Sequence, residues 1–228
     1  MIRIFIGFDP RETVAYHTLS QSIIDNCSVP VSITPLSLSM LPMFTRSRDP
    51  RQSNDFSFTR FLVPYLCDYE GFALFMDLDM MFRVDPKELW DLRDSSKSVQ
   101  VVKHDYTPTT RTKYLGNIQY PYPRKNWSSL MLFNCRNCRS LTPSYVNSAP
   151  GLDLHRFRWT TDDMIGELPV EWNHLVSEYP KNPKAKIVHW SIGGPWFDDY
   201  RDVEFFVEWM EKYGSMIHTM QTSKKKAN

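Results

Sequence analysis

Stretches of apolar residues along the chain predict the strands of a sheet. Residues 2–7 form an apolar, β-branched run that ends at Gly7, and residues 72–76 form an uninterrupted apolar run. An uninterrupted run of this length is typical of a central strand that is buried on both faces. The other predicted strands are residues 31–36, 99–102, 130–133 and 186–189.

Apolar residues at helical spacing separate these strands. Residues 13–24 follow the first strand and predict a helix. A strand, a helix and a second strand at this spacing are typical of an α/β sheet with parallel neighbours. Further helices are predicted at residues 57–66, with a kink or a 3₁₀ turn near Pro64, at residues 160–167 and at residues 203–213. Residues 38–55 and 105–125 are polar or rich in proline and predict loops.

The length and composition predict one soluble domain. The chain has 228 residues, of which 42% are hydrophobic and 23% are charged, as in an ordinary globular protein. We expect a single domain over residues 1–220. Residues 221–228 include three consecutive lysines, and we expect them to form a disordered basic tail.

The charge balance argues against two classes of partner. Lys and Arg number 27 and Asp and Glu number 26, so no overall positive charge attracts nucleic acid or an anionic membrane. No apolar stretch approaches the roughly 20 residues that span a bilayer. The N-terminal apolar run is also too short for a signal peptide. We therefore expect a cytoplasmic protein without a membrane span.

Two carboxylates follow the buried strand predicted at residues 72–76. Asp77 and Asp79 are separated by Leu78, and a second apolar run follows them. In an extended chain, side chains two residues apart point the same way, so both carboxylates can reach one cation while Leu78 packs behind them. Mg²⁺ and Mn²⁺ prefer such oxygen ligands. The alternative is a turn with two solvated acids, and the apolar flanks disfavour it because buried charge needs a compensating partner.

A second cluster of candidate residues begins at the end of the last predicted strand. His189 ends that strand and can offer a neutral nitrogen to a metal ion. Gly193 and Gly194 follow, and their backbone can approach an anion closely. Trp196 can form a wall for a base or a sugar. By itself, His189 would be interpreted as a structural histidine, and the D-x-D segment makes it a candidate ligand.

These segments resemble the motifs of GT-A glycosyltransferases, and most closely those of the retaining glycosyltransferase family 8. The other matching segments are the first strand and its acidic turn at residues 4–9, the helix around Arg60, residues 127–134, residues 161–163 with residues 171–173, and residues 189–196. The match is degenerate. Trp127 stands where the family has an asparagine, Thr161 stands where it has an acid, and the last segment has no lysine.

The resemblance implies an α/β fold of the GT-A, Rossmann-like type, with a mixed, mostly parallel central sheet flanked by helices. It also implies a nucleotide-sugar donor, with a UDP-hexose favoured, and a glycan or another hydroxyl compound as acceptor. A Mn²⁺ or Mg²⁺ ion would be held by Asp77, Asp79 and His189. The residues implied to bind the donor and its metal are Gly7, Phe8, Asp9, Arg11, Arg60, Asp77, Leu78, Asp79, Ser129, Asn134, His189, Gly193, Gly194 and Trp196. The implied catalytic residues are Asp162 and Asp163, which would orient donor hydroxyls or stabilise the positive sugar.

Simpler interpretations stay open for several of these residues. An arginine in a helix, such as Arg60, is usually exposed. Asp9 and Arg11 can form a turn and the start of a helix without touching any ligand.

For the whole chain, the alternatives are a non-catalytic module that binds a nucleotide or carbohydrate, and a nucleotidyltransferase of related fold. The second is disfavoured because no glycine-rich basic loop follows the first strand.

Overall fold

The computed structural model describes residues 1–49 and 52–217. The predicted basic tail at residues 221–228 lies outside them. The helices are α1 (Thr13–Asn26), α2 (Val63–Leu66), α3 (Pro86–Trp90), α4 (Pro143–Ser148), α5 (Gly151–His155) and α6 (Phe206–Ile217). The strands are β1 (Ile2–Gly7), β2 (Val31–Leu36), β3 (Phe72–Met76), β4 (Met80–Phe82), β5 (Val99–Val101), β6 (Thr112–Lys113), β7 (Asn117–Ile118), β8 (Leu130–Asn134), β9 (Ile165–Glu167), β10 (His174–Leu175) and β11 (Ile187–His189). Among the described helices, none has the length and apolar character needed to cross a bilayer.

The main sheet has six strands in the order β2-β1-β3-β8-β5-β9. The pairs β1–β2, β1–β3 and β5–β9 are parallel. The pairs β3–β8 and β5–β8 are antiparallel. The sheet is therefore mixed and mostly parallel, and it confirms the predicted α/β class.

Strand β3 lies in the middle of this sheet. Residues 73–76 are fully buried, and the strand pairs with β1 along one edge and with β8 along the other. This position explains the uninterrupted apolar run, since neither face of the strand meets solvent. Asp77 comes directly after Met76, at the edge of the sheet where ligands of α/β proteins commonly bind.

Gly7 ends β1 at the same edge of the sheet. A Cβ atom on Gly7 would lie 2.2 Å from the ring of Phe56, which is far inside van der Waals contact. Glycine is therefore required here for the packing of an aromatic ring against the backbone.

A small second sheet has the strand order β10-β11-β4. It begins beside the edge of the main sheet where β3 ends, because β4 follows β3 in the sequence. Strand β11 is antiparallel to β4 and places His189 opposite Met80. The backbone N–H of Trp190 then donates to the carbonyl of Asp79 over 2.9 Å. This pairing brings together two segments that are more than a hundred residues apart in sequence.

The predicted helix at residues 160–167 is wrong. Asp162–Met164 forms a single 3₁₀ turn, and Ile165–Glu167 is strand β9. Strand β9 pairs with β5, and a Cβ atom on Gly166 would lie 2.7 Å from the side chain of Gln100. The pairing with a distant strand thus overrides a short local pattern.

The helix predicted at residues 57–66 is a 3₁₀ turn, Thr59–Leu62, followed by α2, in keeping with the expected irregularity near Pro64.

Candidate metal and substrate site

Asp77, Asp79 and His189 converge at the carboxyl edge of β3. Each offers one ligand atom, and these three atoms lie within 4.8 Å of one another. The residues are buried, with exposed fractions of 9%, 8% and 1% respectively. They form the one group of this kind within residues 1–49 and 52–217.

The orientation of His189 is fixed by a chain of hydrogen bonds behind it. Ser129 Oγ donates to the carbonyl of Asn126 over 2.7 Å and accepts from Asn173 Nδ2 over 2.9 Å. The amide of Asn173 is therefore oriented with Oδ1 towards His189 Nδ1, 2.9 Å away. Since an amide oxygen only accepts, Nδ1 carries a proton, and in the neutral imidazole the lone pair therefore lies on Nε2.

The free face of His189 meets a carboxylate. Nε2 lies 3.3 Å from Oδ1 of Asp79, and that oxygen is buried without a hydrogen-bond partner. Two acceptors at this distance repel each other unless a cation or a proton lies between them. Two carboxylate oxygens and a neutral imidazole nitrogen form a donor set that suits Mn²⁺ or Mg²⁺. The residues present therefore fit the predicted divalent ion.

Arg60 is buried beside this cluster, which excludes the exposed position that its helix would suggest. Its Nη1 lies 2.9 Å from Asp77 Oδ1, and the N–H donates to the carbonyl of Ser128 over 2.8 Å. Asp77 Oδ1 thus has a charge partner but no directed hydrogen bond. Burial raises the pKa of Asp77 to about 6, against the opposing effect of Arg60. A bound cation would favour the ionised form.

Glu12 is a further buried acid in this region, and the sequence analysis did not identify it. Its Oε2 accepts from Trp196 Nε1 over 3.2 Å, and its Oε1 is buried without a hydrogen-bond partner. Burial, with the charges of Asp79 and Asp9, raises the pKa of this carboxyl to about 8. In the sequence Glu12 resembles any acid at the start of a helix, so no local signal marks it.

Two of the residues predicted to contact the nucleotide pair with each other. The carboxylate of Asp9 is fully buried and accepts from Arg11 Nε and Nη2 over 2.9 and 2.6 Å. It also accepts from the backbone N–H of Asp55. Asp9 thus holds the turn after β1, while the exposed Arg11 and the half-buried Phe8 remain accessible beside it.

Ser129 directly precedes β8, and Asn134 ends that strand. The carbonyl of Ser129 accepts from the backbone N–H of Asp77 over 2.9 Å, which places Ser129 at the cluster. Asn134 instead pairs with Phe72 at the far end of β3, and its side chain donates to the carbonyl of Ser95. The two positions are five residues apart along the chain, or about 17 Å in an extended strand. The structure does not bring Asn134 to the cluster.

The two glycines after β11 are spaces for aromatic rings. A Cβ atom on Gly193 would lie 2.5 Å from the ring of Tyr200, and one on Gly194 would lie 2.1 Å from the ring of Trp196. The N–H of Gly193 donates to the carbonyl of Trp190 over 3.1 Å. Gly193 therefore makes room for the ring of Tyr200, and Gly194 makes room for Trp196, whose indole donates to Glu12.

The predicted catalytic acids lie on the surface. Asp162 has an exposed side-chain fraction of 81% and pairs with Arg124 Nη2 over 2.6 Å. Asp163 is also exposed. Within the described residues, no hydrogen bond or ion pair joins either acid to Asp77, Asp79 or His189.

One known protein is similar in sequence to most of this chain. Protein CDI of Arabidopsis thaliana is 45% identical over 224 residues, which cover 92% of this chain and 86% of that protein. The chain belongs to the CDI family. No family model matches this CDI-family chain.

Solved structures similar to the CDI-family chain include glycosyltransferases. They include the bifunctional glycosyltransferase WbbM (TM-score 0.65, 15% identity, 93% of this chain and 49% of that chain). The galactosyltransferase LgtC has a TM-score of 0.62 and 11% identity, over 96% of this chain and 98% of that chain. The glycosyltransferase GlyE of Streptococcus pneumoniae TIGR4 has a TM-score of 0.61 and 12% identity, over 93% of this chain and 61% of that chain. The chain thus spans about half the length of WbbM. At these identities the likeness shows the fold, and it confirms the GT-A fold predicted from the sequence.

Proposed function

We propose that this protein is a metal-dependent glycosyltransferase that moves a hexose from a nucleoside diphosphate sugar to a hydroxyl group of a glycan or another acceptor. The observation that carries the proposal is the convergence of Asp77, Asp79 and His189, with two buried carboxylate oxygens that lack hydrogen bonds. This cluster lies at the carboxyl edge of β3 in a GT-A fold. The preference for a uridine nucleotide and for a hexose rests on the resemblance of the motifs.

Asp77, Asp79 and His189 would hold the divalent ion. When bound, such an ion neutralises negative charge on the diphosphate, which is the charge that grows as the sugar leaves. Asn173 keeps the Nε2 lone pair of His189 directed into the site, and Arg60 holds the carboxylate of Asp77 in place. These contacts lie within the chain itself, so the site would require little reorganisation during the reaction.

The reaction breaks the bond between the anomeric carbon and a phosphate oxygen, and the departing nucleoside diphosphate takes the electron pair. The acceptor oxygen forms a new bond to the anomeric carbon, and its proton passes to the leaving diphosphate or to solvent. The sugar becomes positively charged in between. In this proposal Asp162 or Asp163 orients donor hydroxyls or stabilises that charge. The nucleotide-binding site would be lined by Phe8, Arg11 and Trp196.

The proposal is tested by incubating the purified protein with a panel of UDP-, GDP- and dTDP-sugars and Mn²⁺. We expect slow release of UDP and free sugar from a UDP-hexose, because water can replace the acceptor. Asp79→Asn should abolish the release. Asp91→Asn is the matched control, since Asp91 forms only an exposed pair with Lys87 on α3 and such pairs contribute little.

The products also separate the alternative functions. Release of a sugar 1-phosphate, with transfer of the nucleoside monophosphate group, would indicate a nucleotidyltransferase. Tight binding of a nucleotide sugar without any turnover, alone or with a range of hydroxyl acceptors, would indicate a binding module. Either result would contradict the glycosyltransferase proposal.

A further inference from the structure

Two lysines lie near the metal-ligand cluster without a carboxylate partner. Lys113 ends β6, and Lys125 lies in the segment before β8. Both are half-buried. Across residues 1–49 and 52–217, no carboxylate oxygen lies within 4.0 Å of either ammonium group. Lys113 Nζ instead lies 5.4 Å from the centroid of the Tyr114 ring, and Lys125 Nζ lies 5.1 Å from that of Tyr122.

The strand pair β6–β7 is anchored next to the segment that follows His189. The backbone N–H of Tyr114 donates to the carbonyl of Ile192 over 2.8 Å. The ring of Tyr114 stacks on that of Phe197, with centroids 5.1 Å apart and planes 20° apart. Lys113 precedes Tyr114, so these contacts fix its place beside the candidate site.

The charges around Lys113 come from the candidate site itself. Burial lowers the pKa of its ammonium group, and the carboxyls that oppose this effect are Asp79, Asp77 and Glu12. Burial, together with the charge of Lys113, lowers the pKa of Lys125 to about 8. Glu178 opposes the shift at Lys125. Lys125 precedes Asn126, whose carbonyl accepts from Ser129 Oγ at the cluster. Both ammonium groups therefore lie beside the candidate site and are partly removed from water. An anion between them would compensate this cost.

A bound divalent cation would change the charges around Lys113. Without the ion, Asp77 and Asp79 attract Lys113. With the ion in place, their charge is neutralised and Lys113 faces another cation. Both cations are stabilised together only by an anion that contacts both.

We propose that Lys113, together with Lys125, binds the diphosphate group of the donor beside the metal ion. The inference rests on the proposed function, and it assigns to β6 and to the segment before β8 a phosphate contact that the sequence motifs did not indicate. A diphosphate has enough negative oxygens to contact the ion and two lysines at once.

The test compares wild-type protein with Lys113→Met, which keeps the length of the side chain but removes its charge. Mn²⁺ binding is measured alone by electron paramagnetic resonance. Binding of inorganic pyrophosphate and of UDP is measured by calorimetry with saturating Mn²⁺. We expect Lys113→Met to weaken pyrophosphate and UDP by about tenfold or more. Mn²⁺ alone should bind as tightly as to wild type, or more tightly, because a competing cation is lost.

Three further variants complete the test. Lys113→Arg should keep most of the affinity for pyrophosphate, and Lys125→Met should lose part of it. Lys184→Met, at an exposed position, should behave as wild type.

Wild-type affinity for pyrophosphate in Lys113→Met would overturn the lysine proposal and leave the glycosyltransferase proposal standing. An equal loss of Mn²⁺ and pyrophosphate would also overturn it, since that pattern indicates a structural role. If wild-type protein with Mn²⁺ binds neither pyrophosphate nor UDP, both proposals fail.

Discussion

His189 Nδ1 lies 2.9 Å from Asn173 Oδ1, and this contact decides which nitrogen of the histidine faces the aspartates. The amide of Asn173 cannot rotate without losing its bond to Ser129 Oγ. Ser129 in turn accepts the backbone N–H of Asp77 at its carbonyl. One short chain of hydrogen bonds therefore connects the histidine to the first aspartate, and it prepares both for the same ion.

The contact predicts the behaviour of an Asn173→Ala variant. Loss of the acceptor frees the ring of His189 and its tautomer, and such outer contacts are typically worth about 10- to 100-fold in metal affinity. We expect a loss of this size in Mn²⁺ affinity, measured by electron paramagnetic resonance. Asn173→Asp keeps an acceptor for Nδ1 and should recover much of it. Equal Mn²⁺ affinity in wild type and Asn173→Ala would show that the contact does not orient a ligand.

A His189→Ala variant separates a catalytic role from a structural one. The aspartates remain, so the ion should bind more weakly rather than not at all. Turnover should fall by about a hundredfold or more, and further than donor affinity, because charge on the diphosphate grows as the bond breaks. Thermal unfolding and turnover are measured on the same preparation with saturating Mn²⁺. A destabilised variant whose folded fraction turns over normally would make His189 structural.

Glu12 predicts a pH dependence of stability. Its pKa is raised from 4.5 to about 8 in the folded chain, so the folded state holds a proton that the unfolded state has lost between these values. The stability from this group is therefore complete below pH 4.5 and is lost as pH rises towards 8. Glu12→Gln keeps the neutral form and should lack this part of the loss.

The measurement is the free energy of unfolding in urea, with chelator present, from pH 5 to 9. The curve of Glu12→Gln should diverge upward from wild type as pH rises. Glu167→Gln, at an exposed position, is the control and should run parallel to wild type. Parallel curves for Glu12→Gln would mean that the carboxyl is ionised in the folded protein.

The packing of Gly7 gives a prediction that is independent of any ligand. Gly7→Ala places a methyl group 2.2 Å from the Phe56 ring and should lower the free energy of unfolding by about 1–3 kcal/mol. In the double variant Gly7→Ala with Phe56→Leu, the smaller side chain should relieve part of this cost. Additive effects in a double-mutant cycle would contradict the proposed close approach.

The parts of the site that the sequence predicted have strong local signals. Asp77 and Asp79 are recognisable because they interrupt a long apolar run, and His189 because it ends one. The strand β3 was predicted for the same reason. Such patterns reflect burial, which acts on consecutive residues and therefore leaves a mark in the sequence.

The parts that the sequence did not predict depend on pairing between distant segments. Asn134 was assigned to the site, but the antiparallel register of β8 places it at the other end of the sheet. Residues 165–167 are a strand only because β5 pairs with them. Glu12 and Lys113 owe their surroundings to residues far along the chain, so neither has a local signature.

The proposed metal site, formed by Asp77, Asp79 and His189, would hold a divalent ion that a nucleoside diphosphate then contacts. It is tested most directly by titrating Mn²⁺ into wild type and Asp79→Asn, with and without UDP. We expect wild type to bind Mn²⁺ and UDP to tighten this binding. In Asp79→Asn both effects should be lost while the melting temperature is kept or raised, because the variant removes a buried charge. Unchanged Mn²⁺ and UDP binding in a folded Asp79→Asn variant would contradict the account.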